Sequence, residues 1–227
     1  METSERAPGT GPEATVARSR TGSIAGGALT LAAAVVLLGI ITAEALYPAT
    51  YSTGRNDISD LGGTRPPEGL VLQPSATIFD ATMLAAGVLV LGAAWLLVGA
   101  GLRRSVLVPL VLLGVGCVGV GVFPGDTGTP HALASLLTFV SGAVAAISAS
   151  RLTSGPFRLV TAALGVVSLA MLVVYTVAGD AGPLADLGPG GVERWVAYPI
   201  VSWIGAFGGW LAGAGEAPGI NRARRRP

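Results

Sequence analysis

Glu44, Asn56, Asp57, Ser59, Asp60, Asp80, Asp126, His131, Glu193 and Arg194 are the side chains from which a binding site in this chain would be built. Glu44 and Asp80 stand apart because apolar sequence surrounds them. An acid costs about 2.5–3.5 kcal/mol at the centre of a bilayer, and less toward the interface, so such residues turn inward and take a partner. Arg55, Arg65, Arg194 and a protonated His131 are the cations within reach. Arg194 is the expected partner, because it heads an apolar stretch at similar depth. The alternative is that both acids sit high enough to be hydrated. Glu193 and Arg194 are adjacent, and on a helix they diverge by about 100°, so they are expected to bridge to different helices.

The segment Asn56-Asp57-Ile58-Ser59-Asp60-Leu61-Gly62-Gly63 has two readings. Its Asn, Asp and Ser oxygens suit a turn or helix start, where they accept from free backbone N–H groups, and its two glycines suit the end of one interfacial turn. The same oxygens suit contact with a ligand. His131, after Pro130, reads as a hydrogen-bonded structural imidazole at the head of a helix, and one His among several carboxylates leaves a divalent cation open.

Other chemistry is excluded. All 14 basic residues are Arg, so neither a Schiff-base lysine nor a phosphate-loop lysine exists. Cys117 and His131 are the single Cys and His, which rules out an intrachain disulfide and three-His or Cys/His zinc sites. No cofactor and no resident metal is expected. The run Arg222–Arg226 is too short for nucleic acid; it fits an anionic leaflet, at about 1 kcal/mol per Arg.

The elements that must position these residues follow from composition. Hydrophobic content is 51% and charged content 12%, with a mean hydropathy of +0.67. A soluble domain carries about twice that charged fraction, so the surplus apolar surface must face lipid. Six apolar stretches run 24–46, 76–98, 106–123, 132–150, 159–178 and 195–214, close to the ~20 residues that cross a ~30 Å hydrocarbon core as a helix. Their apolar character is continuous, which excludes barrel strands, and lipid admits only helices otherwise. The expected fold is all-α: a polytopic six-helix transmembrane bundle over 23–214, with a disordered tail over 1–22 and a basic tail over 215–227. The first stretch is too long for the ~7–15-residue core of a cleaved signal peptide.

Eleven arginines (Arg6, Arg18, Arg20, Arg103, Arg104, Arg151, Arg158, Arg222, Arg224, Arg225 and Arg226) fall on one side of this layout. Three (Arg55, Arg65 and Arg194) fall on the other. The positive-inside rule therefore puts both termini in the cytoplasm of a cell-membrane protein and the polar cluster outside. Tyr47, Phe123, Tyr175 and Trp195 mark the outer boundary, and Trp95 and Trp210 the inner one. Small-residue stripes (Gly205, Gly209 and Gly213; Gly22 and Gly26; Gly114, Gly116, Gly119 and Gly121) are expected to let helix backbones approach within one bundle. A dimer contact, and hence a homo-oligomer, stays open. The two halves share no motif, so an inverted repeat has no support.

Asn56-x-x-Ser59-x-Leu61-Gly62 after the first span, Phe123-Pro124 closing the third, His131 opening the fourth and Glu193-Arg194 opening the sixth form an ordered set. In these residues the chain resembles the bacterial membrane family catalogued as domain of unknown function 998, over about 25–214. The resemblance implies the fold and topology and supplies no activity. Asp80, after Phe79, departs from it, since an amide is expected there.

Three functions compete. The leading one is a binding protein for a small molecule, cation or lipid headgroup at the outer ends of the first, second, fourth and sixth helices. The second is a proton- or cation-coupled transporter titrating at Glu44 and Asp80. The third is a membrane-embedded enzyme acting on lipid, with His131 as general base.

Overall fold

The computed structural model describes residues 20–179 and 182–215. Among them lie six long helices: α1 Arg20–Ala45, α2 Ser75–Gly99, α3 Arg104–Val122, α4 Thr129–Ala149, α5 Gly155–Ala178 and α6 Gly188–Gly215. All six are long and apolar enough to cross a membrane, and the described residues contain no strand. At 1.5 Å per residue they span roughly 28–42 Å. Their perimeter is apolar: Ile41, Val88, Val108, Leu159 and Val177 are all exposed. Water would penalise that surface and lipid does not. This is a multi-pass membrane protein.

The helices run alternately up and down. Each packs on its sequence neighbours, and α6 closes the ring against α1. One end of the bundle carries the short connections 100–103 and 150–154, the start of α1 and the end of α6. The other, the loop end, carries the long segment 46–74, the connection 123–128 and the described residues 182–187 ahead of α6. The core is filled from α6 by Trp203, Phe207 and Leu211, all fully buried, with Leu29, Val90, Leu97, Leu110 and Leu113 opposite. Trp203, Phe207 and Trp210 stack successively at 5.4 and 5.6 Å between ring centroids, and Phe157 of α5 continues the stack at 6.5 Å.

Glycine sets the closest approaches. A Cβ on Gly26 would lie 2.5 Å from the Gly208 carbonyl, and one on Gly208 would lie 2.6 Å from the Gly26 carbonyl. The α1–α6 seam therefore follows Gly205 and Gly208. Gly209 and Gly213, expected in the stripe, face open space. The α3 glycines serve two neighbours at once: Gly114 and Gly121 meet α2, while Gly116 and Gly119 meet α4. These contacts are within the bundle, as expected.

Five of the six helices start within three residues of the positions expected from sequence or up to four earlier, but α6 starts seven residues early. Gly188-Pro189-Gly190-Gly191 reads as a breaker run, yet it forms the first turn. Pro is tolerated there because its missing N–H would have no intrahelical partner, and the Gly54 carbonyl accepts from Gly190 N (3.0 Å) and Gly191 N (3.3 Å). Gly188 itself has φ +66°, and a Cβ on it would meet the Gly54 carbonyl. Helix α1 also begins at Arg20, inside the stretch assigned to the N-terminal tail. Residues 1–19 and 216–227 of the two tails lie outside the described residues.

Helix α5 is the peripheral member. It buries only Thr161, Gly165 and Ser168, and Ser168 Oγ donates to the Val196 carbonyl of α6 at 2.8 Å.

Candidate functional site

Segment 46–74 folds back into the loop end of the bundle. Ile58 and Leu61 are buried as an apolar plug, with Asp57 and Ser59 buried beside them. Asn56 Oδ1 accepts from Ser52 N at 3.0 Å, and Asp60 Oδ2 accepts from Asp57 N at 3.0 Å. Side-chain oxygens thus shape the chain for the 3₁₀ turn Ser59–Leu61. The Asn56 and Asp60 oxygens are structural in this arrangement. Gly62 and Gly63 complete the turn because two carboxylates crowd them: added Cβ atoms would lie 2.6 Å from Asp80 Oδ1 and 2.8 Å from Asp126 Oδ1.

Arg194 fastens the segment down. Its Nη1 donates to the carbonyls of Thr53 (2.8 Å), Asn56 (3.1 Å) and Gly190 (2.9 Å). Its Nη2 donates to Glu44 Oε1 (2.5 Å) and Tyr51 Oη (2.8 Å). The guanidinium also lies 5.7 Å from the Tyr51 ring centroid. Tyr51 Oη in turn donates a hydrogen bond to the Asp57 carbonyl at 2.8 Å. Burial pushes this phenol well above its ordinary range, although Arg194 opposes the shift, so it stays a donor.

The expected Glu44–Arg194 pair is present. The expected Asp80–Arg194 pair is not. Asp80 Oδ1 is buried without a hydrogen-bond partner, as is Asp126 Oδ1; the two lie against Gly62 and Gly63.

Glu193 turns the other way from its neighbour. Its Oε2 accepts from the backbone N–H groups of Ile58 and Ser59 (3.4 Å for the latter). It therefore caps the plug rather than bridging to another helix. Asp57 Oδ2 pairs with Arg65 Nη2 at 2.5 Å, where Arg65 is largely exposed.

His131 ties α3 to α4. Its Nδ1 lies 2.8 Å from the Phe123 carbonyl and its Nε2 3.1 Å from Ser135 Oγ. A carbonyl only accepts, so Nδ1 carries a proton, and Nε2 shares a hydrogen bond with the Ser135 hydroxyl.

These positions enclose a cleft of about 700 Å³ at the loop end, among α4, α5 and α6. Asp57, Ser59 and Arg65 line its polar top from the plug, His131 and Ser135 from α4, and Glu193 from α6. Leu133, Leu136 and Phe139 of α4, Leu172 of α5 and Val192 and Val196 of α6 form its apolar walls. Leu133 and Leu136 are 64% and 50% exposed, which opens the cleft sideways toward lipid. An apolar cavity of about 70 Å³ lies deeper, lined by Val36, Leu113, Cys117 and Ile204 among others. Ser59, Ser135, Phe139 and Glu193 border both spaces. A shallower polar depression beside the cleft is lined by Asp57, Asp60, Arg65, Glu68 and Tyr175.

Of the ten sequence candidates, Asp57, Ser59, His131 and Glu193 line the cleft, and Asp60 the adjoining depression. Glu44, Asn56 and Arg194 hold the plug, and Asp80 and Asp126 flank its glycines. The concave region involves α4, α5 and α6, whereas the expected ring was the ends of the first, second, fourth and sixth helices. Sequence reasoning missed Arg65, Ser135 and Tyr175 as lining residues. Ser135 had a signal, since four residues after His131 it shares that helix face; Arg65 depends on how the plug folds, and Tyr175 on how α5 packs beside it. Among the described residues, no group of three or more His, Cys, Asp or Glu side chains is gathered to hold a metal.

The family model described as Protein of unknown function (DUF998) matches residues 20–210. That range covers all six helices nearly to the end of α6, and the chain belongs to this family. No curated protein and no solved structure matches it.

Proposed function

We propose, with family membership as the premise for the architecture alone, that this protein binds a small molecule in the cleft among α4, α5 and α6. The chain sits in the cell membrane with both termini cytoplasmic, on the argument of eleven arginines against three. The cleft then faces the outer leaflet. One observation carries the reading: a space of about 700 Å³ joins a polar head, made by Asp57, Arg65, Ser59 and Glu193, to an apolar groove open to lipid. Small-molecule sites have volumes of about 300–1,000 Å³ and combine mostly apolar walls with a few polar groups.

The test is thermal stability of the purified protein in detergent, screened against divalent cations and lipid headgroups, beside Leu172→Trp, which fills the groove. A bound molecule raises the melting point by mass action. The reading expects a ligand-dependent rise that Leu172→Trp abolishes. A rise that Leu172→Trp leaves intact moves the site elsewhere.

A second reading, an enzyme acting on lipid, is favoured by one observation. Ser135 Oγ hydrogen-bonds His131 Nε2 at the wall of the cleft, the pairing that activates a hydroxyl nucleophile. It expects a change in membrane lipid composition on overexpression that Ser135→Ala removes. Coupled transport would use Glu44 and Asp80 together; Glu44 is paired with Arg194 and Asp80 faces Gly62, which favours binding over transport.

A further inference from the structure

Given that reading of the cleft, we infer that its occupant is a single-chain cationic amphiphile: an ammonium group seated by Glu193 at the plug, with its apolar tail lying between α4 and α5.

The tail half follows from shape. Leu136 and Phe139 on one side face Leu172 and Val196 on the other, and the groove opens to lipid along α4. An amphiphile already in the outer leaflet enters by lateral diffusion, without its tail crossing water. Helix α5, the outer wall, buries only three residues, so the groove widens at little cost in packing.

The head half follows from charge. Asp57 and Glu193 line the cleft, and Asp60 and Glu68 line the depression that continues it. Against these four carboxylates the described lining carries one guanidinium, Arg65, already paired with Asp57. Arg194 is one residue from Glu193 but spends its donors on Glu44, Tyr51 and three carbonyls. Its charge is neutralised on the far side of α6. His131 holds the Phe123 carbonyl and the Ser135 hydroxyl with its two ring nitrogens. Glu193 makes no ion pair among the described residues, and its acceptor contacts are two backbone N–H groups. A phosphate head would meet net negative charge here, whereas an ammonium meets a carboxylate placed where the polar cleft and the deeper apolar cavity join.

The experiment measures saturable binding of radiolabelled dodecylamine, dodecyl phosphate and dodecanol to the full-length protein in phosphatidylcholine nanodiscs, with empty nanodiscs subtracted. The expected result is that the amine binds at least tenfold more tightly than the other two. Glu193→Gln keeps an oxygen for the Ile58 and Ser59 amides but removes the charge, and it brings the amine to the level of the alcohol. Arg65→Gln removes the competing cation from an exposed position and tightens amine binding several-fold, a gain that misfolding cannot produce. Leu172→Trp abolishes saturable binding of all three.

Preference for the phosphate, lost in Leu172→Trp, would overturn the cationic class and leave the cleft reading intact. Displacement of the amine by phosphatidylethanolamine in the nanodisc would overturn the single-chain assignment. Binding that ignores Leu172→Trp, or none for any probe, would overturn the cleft reading itself.

Discussion

Glu193 and Arg194 are consecutive in sequence and hold the same loop from two different faces of α6. Glu193 accepts from the amides of Ile58 and Ser59, while Arg194 donates to the carbonyls of Thr53 and Asn56. The acid meets N–H groups and the base meets C=O groups of one short stretch. Because a helix turns about 100° between neighbours, only one of the two charges can face the cleft, and it is the carboxylate. The folding of the plug and the electrostatics of the cleft are thus set by the same pair.

Arg194→Lys tests the clamp. An ammonium is a compact point charge without the planar fork, so it cannot reach Glu44, Tyr51 and three carbonyls together. The account expects a lower melting temperature and faster proteolysis within 46–74. Arg194→Ala leaves Glu44 unpaired and costs about 3 kcal/mol or more, read by thermal unfolding in detergent.

Gly208 and Gly209 separate the packing face from the lipid face. Gly208→Ala drives a Cβ to within 2.6 Å of the Gly26 carbonyl, and overpacking of this kind costs about 1–3 kcal/mol. Gly209→Ala meets nothing within 4 Å and is expected to change stability by less than about 0.5 kcal/mol. The same unfolding assay compares the two.

His131→Ala removes the donor to Phe123 and the hydrogen-bond partner of Ser135. The loss of buried hydrogen bonding is expected to cost about 1–3 kcal/mol. His131→Asn, whose amide N–H₂ can replace Nδ1–H, restores most of it if the imidazole is structural. Failure of Asn to restore stability would count against the hydrogen bond to Phe123 as its role.

Most of the fold was legible in the sequence because lipid imposes a length and a composition on every span. The Glu44–Arg194 pair was legible for the same reason: few cations exist to satisfy an acid in apolar sequence. The start of α6 was not, since Gly188–Gly191 is a breaker run made helical by a distant carbonyl, that of Gly54. Nor was the seam at Gly208, which a four-residue stripe through Gly205 and Gly209 hides. The cleft was least legible. Its apolar wall is built from Leu136, Leu172 and Val196, which look like any lipid-facing residue until α4, α5 and α6 are brought together, and Arg65 reaches it only through the fold of the plug.

Orientation is checked with cysteines. Cys117 is buried and can be replaced by Ala. In that background Glu68→Cys, at an exposed loop position, is expected to react with a membrane-impermeant thiol reagent on intact cells. Arg104→Cys, at the opposite end, is expected to react only after permeabilisation. The reverse pattern would invert the topology.

The most direct measurement is a density map of the protein in a lipid nanodisc, with a bound antibody fragment as fiducial. An elongated feature is expected to run from Glu193 along the groove between Leu136 and Leu172, stronger than the annular lipid between α2 and α3 and absent in Leu172→Trp. A groove whose density matches that annular lipid, with no feature at Glu193, would contradict it.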